Sequence, residues 1–142
     1  PITVVRLIQT YRGLPVYGTE LVVSLADGAV VYAQFMVKDA TSDGSAGPAI
    51  DDAAALGHAR GYLRAKEMRD LRVDRVWWVG DAARLAWRIV GQPDSLDGAH
   101  WELLVDALDG RVLRAENLDS HANGTGLVFD PDPLSSAQAA YG

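Results

Sequence analysis

The chain has 142 residues, 49% of them hydrophobic and 23% charged, enough for one well-filled core or for two small subdomains that share one. Its 13 basic and 19 acidic residues give a formal net charge of −6, and no Lys/Arg cluster stands ready to neutralise neighbouring phosphates, which argues against nucleic acid as a partner. There is no cysteine, hence no disulfide framework, thiolate nucleophile or cysteine metal site, and no apolar run nears the roughly 20 residues that cross a bilayer, so membrane insertion is not expected.

The chain opens at Pro1 without a basic-then-apolar signal segment, as expected of a trimmed or processed form whose export signal stood upstream. Residues 3–10 are rich in β-branched and large aliphatic types and stop at the turn-rich segment Tyr11–Gly18, which predicts a strand followed by a shaped loop. Leu21, Val23 and Leu25 then alternate with Glu20, Val22 and Ser24, and Asp27-Gly28 supplies the positive φ angles of a two-residue turn before Val30–Val37, so this pair is expected to be a hairpin. Residues 38–49 collect Gly, Ser and Pro without an apolar period and mark a linker. Beyond it Asp51 and Asp52 suit a helix N-terminus, and Ala55, Leu56, Ala59, Tyr62, Leu63 and Lys66 follow at three- and four-residue spacings, predicting a helix over 51–69. Gly57 and Gly61 have the small-x-x-x-small spacing of membrane helix pairs, but with His58 and Arg60 between them they are expected instead to let this helix approach a sheet closely.

Strands are predicted at 72–79, 84–91, 100–107 and 111–117, the last two joined through Asp109-Gly110 as a second two-residue turn. Strands joined so tightly are antiparallel, and the order of elements lacks the βαβ alternation of a parallel nucleotide-binding sheet. The expected fold is α+β, antiparallel sheets with one main helix, divided into 1–37, a linker at 38–50, a helix-plus-sheet unit at 51–118 and an extended tail at 119–142 containing Pro131 and Pro133. Trp77 and Trp78 are adjacent on a strand and point to opposite faces. One helix covers one face, so at least one of them looks away from it, packing on the first subdomain or remaining open to a partner. With Phe129 of the tail they are the candidate partner contacts.

Catalytic machinery is hard to assemble from the remaining residues. The histidines are His58, His100 and His121, without a His-Glu-x-x-His pattern; His100 and Glu102 project from one strand face as a permissible metal pair, but no third ligand accompanies them. Asp39 with Asp43, and Asp130 with Asp132, offer oxygens but not the dense acidic spacing of a loop that wraps calcium. No serine lies in a Gly-x-Ser-x-Gly elbow. No catalytic residue, metal or cofactor is therefore assigned, and the expected activity is the binding of another polypeptide.

The run of Gln9, Tyr11, Gly13, Pro15, Val16 and Gly18 ahead of a hairpin turning at Asp27-Gly28 resembles the FTP module in pro-regions of thermolysin- and fungalysin-type zinc proteases. Past the linker, Ala83–Val90 and the Trp101–Leu113 segment, anchored by Asp106 and Gly110, look like the PepSY module that follows it, so the resemblance covers about residues 3–118. It implies an FTP-like subdomain at 1–37 and a PepSY-like one at 51–118 in a secreted or periplasmic protein. It also implies a zinc metalloprotease catalytic domain as partner, in cis or in trans, whose folding the pro-region assists and whose activity it blocks until cleavage. The tail, similar to the passage where such precursors are processed, offers His121–Ala122 as a junction, with Gly126–Leu127 and Val128–Phe129 as competitors because such enzymes favour bulky apolar residues after the cut. The alternative is a free-standing FTP/PepSY protein-binding or inhibitor module with no downstream peptidase.

Overall fold

The structure, a computed structural model, describes residues 1–41 and 47–119. It is α+β, with antiparallel sheets and a single helix among the described residues. β1 (Ile2–Leu7) is followed by the short strands β2 (Thr10–Tyr11) and β3 (Leu14–Pro15), then β4 (Glu20–Ala26) and β5 (Ala29–Met36). α1 (Asp52–Leu63) precedes the meander β6 (Met68–Val79), β7 (Ala83–Pro93), β8 (Trp101–Asp106) and β9 (Val112–Asn117). The first large sheet has the order β1-β4-β5, β2 pairs with β3, and the second large sheet runs β6-β7-β8-β9, every pairing antiparallel.

The Asp27-Gly28 hairpin forms as its sequence dictates, with φ of 50° and 79° at the two turn residues closing the Ala26–Ala29 pair. The same dipeptide type at Asp109-Gly110 behaves differently. There only Gly110 has positive φ, at 76°, and the chain closes a wider loop through Asp106 N–H to the Arg111 carbonyl at 2.8 Å and Gly110 N–H to the Asp106 carbonyl at 3.0 Å. Asp106 causes this: its carboxylate accepts from Leu108 N–H at 2.8 Å and from Arg84 at 3.0 Å, holding the corner open against a two-residue turn.

The helix is shorter than its apolar spacing predicts. Asp51 caps its start, accepting from Ala54 N–H at 2.8 Å, but Arg64 adopts left-handed geometry and ends it after Leu63. Distant groups enforce that stop: Ser95 donates to the Leu63 carbonyl and the Asp94 carboxylate takes Lys66 N–H. The chain released there allows β6 to begin at Met68, paired with Pro93, rather than at residue 72. Gly57 and Gly61 do not mediate a close approach. Both are exposed, with nothing within 4 Å of where a Cβ would sit, and Ala55 and Ala59 face the sheet instead.

The main core lies between α1 and one face of the second sheet, where Ala55, Ala59 and Leu63 meet Ile89, Leu103 and Val105. These strand residues alternate along β7 and β8 in cross-strand register, Ile89 against Leu103 and Trp87 against Val105. Each fully buried Leu, Ile or Val contributes about 1.5–3 kcal/mol. The opposite face is closed by Val76, Ala86 and Leu104 beneath a lid of ion pairs that includes Arg84–Asp106 and Arg88–Glu102. No helix among the described residues is long and apolar enough to cross a membrane.

Candidate functional site

Residues 9–19 form a seam that grips the end of β6 from both faces. Val16 makes a parallel bridge to Trp77, with Tyr17 N–H donating to the Trp77 carbonyl at 2.9 Å and Val16 N–H to the Gln9 carbonyl at 2.8 Å. On one face the Trp77 ring meets Tyr11 edge-on, centroids 5.4 Å apart, and its indole N–H donates to the Tyr11 carbonyl. On the other, Tyr17 packs against Trp78, and Lys38 lies over the Trp78 ring while its Nζ donates to the Tyr17 carbonyl. The Gln9 amide closes the strap, donating to the Lys38 carbonyl at 2.8 Å and accepting from Lys38 N–H at 3.0 Å. Gly13 and Gly18 have φ of 78° and 68°, backbone angles that side chains resist, and the Lys38 ammonium occupies the space beside Gly18.

Beneath the seam sits a buried carboxylate. Glu102 accepts from the Tyr17 hydroxyl and from Arg88 Nε, the latter at 2.6 Å, and Arg88 also lies 3.9 Å from Asp74. Burial, then the hydrogen bond and negative charge of Glu102, push the Tyr17 hydroxyl up to about 12, so it stays a neutral donor through the physiological range. His100, by contrast, faces Gln92 and Asp119, so His100 and Glu102 are not brought together on a shared ligand position. Among the described residues no group of three or more His, Cys, Asp or Glu is placed to hold a metal ion.

Trp77 is buried and so has no open face for a partner, while Trp78 is half-buried in the seam. Asp27 and Gly28 form the exposed hairpin tip, Asp106 is a buried corner, and Gly110 is buried under the His58 ring, which lies 2.3 Å from where a Cβ would stand. Phe129 and the junction residues His121, Ala122, Gly126 and Leu127 lie outside the described residues, as do Asp43, Val128, Asp130 and Asp132. The roles of Lys38, Thr19 and Glu102 in the seam carried no local signal. Each depends on a partner brought near by the fold, such as the Val16 carbonyl that accepts from Thr19.

The surface that remains open is the first sheet. Every residue of β1 and β5 is exposed, and the central strand β4 is at most half-buried. Cross-strand register sorts its residues by face. Val5, Leu7, Leu21, Val23, Ala33 and Phe35 share one face, with no charge among them; Phe35 is 69% exposed and Leu7 51%. The other face holds Ile2, Val4 and Met36 but also the Arg6–Glu20 ion pair at 2.9 Å and Tyr32 bonded to Gln34. A contiguous exposed apolar face of this kind is the candidate contact surface.

Helix-backed sheet, seam and open sheet together make an α+β unit with one exposed, uncharged sheet face. Residues 2–34, from the first strand through most of β5, match the family described as Fungalysin/Thermolysin Propeptide Motif, the FTP motif read from Gln9 to Gly18. The chain is also similar to Neutral protease B of Bacillus subtilis (strain 168), 26% identical over 144 residues, an alignment covering 94% of this chain. The chain spans about a quarter of that protein, 26% of its length.

Proposed function

We propose that the chain is a non-catalytic pro-region that docks on the catalytic domain of a secreted thermolysin- or fungalysin-type zinc protease, guides its folding and holds it inactive until cleavage. The observation that carries this reading is that the FTP motif builds a sheet whose faces lie open, one of them without charge. A free monomer gains nothing from such a face, whereas a pro-region buries it against its protease. Residues 1–37 act as the FTP-like docking unit and residues 51–118 as a PepSY-like support that fixes the open sheet through the seam. The tail from residue 119 leads to the processing junction at His121–Ala122, or at Gly126–Leu127 or Val128–Phe129. Blockage is steric, with the tail occupying the substrate cleft.

The test is to express the catalytic domain that follows this pro-region in its precursor and titrate it with the isolated chain. Slow, saturable loss of proteolysis at or below micromolar chain is the expected outcome. Unchanged activity at that concentration, or a reading frame that stops soon after Gly142 without a His-Glu-x-x-His motif, would count against it and favour the free-standing module.

A further inference from the structure

The outer strands of the two large sheets are not equally protected. An outer strand exposes a row of unpaired backbone donors and acceptors, and folded proteins blunt such rows with charges, prolines or distortions. β6 carries Arg69, Asp70, Arg72, Asp74 and Arg75, a register shift, and the Val16 bridge at its end. β9 carries Arg114 and Glu116, paired at 2.6 Å, and a second register shift beside it. β1 carries Arg6. β5, Ala-Val-Val-Tyr-Ala-Gln-Phe-Met, has no charge and no proline in its 8 residues, and past the irregularity near its start it runs straight from Tyr32 to Met36. Lys38, the first charge after it, is folded back onto Tyr17 and Trp78.

We propose that the edge of β5 left unpaired among the described residues is a strand-addition site, extending the first sheet with one extended, uncharged edge strand of the partner catalytic domain; this rests on the pro-region reading above. The chemistry of the incoming strand follows from the register. Positions beside Ala33 and Phe35 continue the apolar face and take aliphatic or aromatic side chains. Positions beside Tyr32 and Gln34 take hydroxyl or amide side chains. A charged residue there would find no counter-ion on β5, so the edge selects against charged strands. Main-chain bonds supply affinity and the alternating rows supply selectivity.

Two measurements test this on the complex of the full chain with that catalytic domain. Amide exchange followed by NMR is expected to slow by about 100-fold at every second residue of Tyr32–Met36, the amides that face away from β4, without the same alternation on β1. Ala33→Lys and Tyr32→Lys, on opposite faces of the same edge strand, are each expected to weaken binding by about tenfold or more, while Val4→Lys, on the same face as Tyr32 but on the other edge, changes it by less than about threefold. A complex that forms with uniform protection, or in which Val4→Lys costs as much as Tyr32→Lys, overturns the edge site and leaves the pro-region reading standing. Alternating protection that arises in the chain alone and grows with its concentration assigns the edge to a second copy and overturns the proposed occupant. Absence of any complex overturns both readings.

Discussion

Removing the Tyr17 hydroxyl should loosen the seam by a definable amount. Tyr17→Phe keeps the ring that packs on Trp78, 5.9 Å between centroids, and that lies under Arg114, so the change isolates one hydrogen bond to the buried Glu102 carboxylate. A hydrogen bond to a charged group is worth about 1.5–3 kcal/mol; Tyr17 is partly exposed, and solvent screening trims this to about 1–2 kcal/mol. For a chain of this size that lowers Tm by about 3–8 °C. The pH dependence has a defined sign. Folding raises the hydroxyl from 10.0 to about 12, so its contribution is fully present below pH 10 and lost only as pH climbs from there toward 12. Urea unfolding of wild type and Tyr17→Phe from pH 6 to 9 should therefore give a constant difference. A difference below about 0.5 kcal/mol, or one that shrinks steadily across that range, would refute the account.

Three further substitutions probe the glycines. Gly57→Ala and Gly61→Ala are each expected to raise stability by about 0.5–1 kcal/mol, since both positions are helical, exposed and open, and thermal unfolding followed by circular dichroism reads the gain. Gly110→Ala is expected to cost at least about 1 kcal/mol, because φ is 76° there and the new methyl displaces the His58 ring; equal stability in urea would show that the loop relaxes without strain.

Where local chemistry alone sets the conformation, the sequence was legible. The alternation of Leu21, Val23 and Leu25 and the Asp27-Gly28 turn name a hairpin whose register needs no distant partner. Asp109-Gly110 carries the same local signal but forms a wider loop, because Asp106 is tied to Arg84 on β7 and no dipeptide rule contains that contact. The helix end failed in the same way. Apolar spacing runs on to Lys66, while the groups that stop the helix, Ser95 and Asp94, stand about thirty residues away in sequence. Trp77 and Trp78 were correctly placed on opposite faces. What the pattern lacked was that one seam segment closes over both, Tyr11 on one side and Tyr17 on the other.

Some residues of the FTP-like run, Gln9 and Val16 among them, face inward. Gln9 is used on the Lys38 backbone and Val16 on Trp77, and between Val16 and Gly18 the Tyr17 hydroxyl is used on Glu102. Substitution in the motif therefore acts first on how firmly the open sheet is held against the helix-backed one. The surface proposed for a partner comes from β1, β4 and β5, whose residues are distinctive only in being apolar where water would otherwise select charge. Stability and contact thus separate along the chain. Tyr17→Phe should lower Tm with little change in affinity for the protease domain once the chain is folded, and Ala33→Lys should do the reverse.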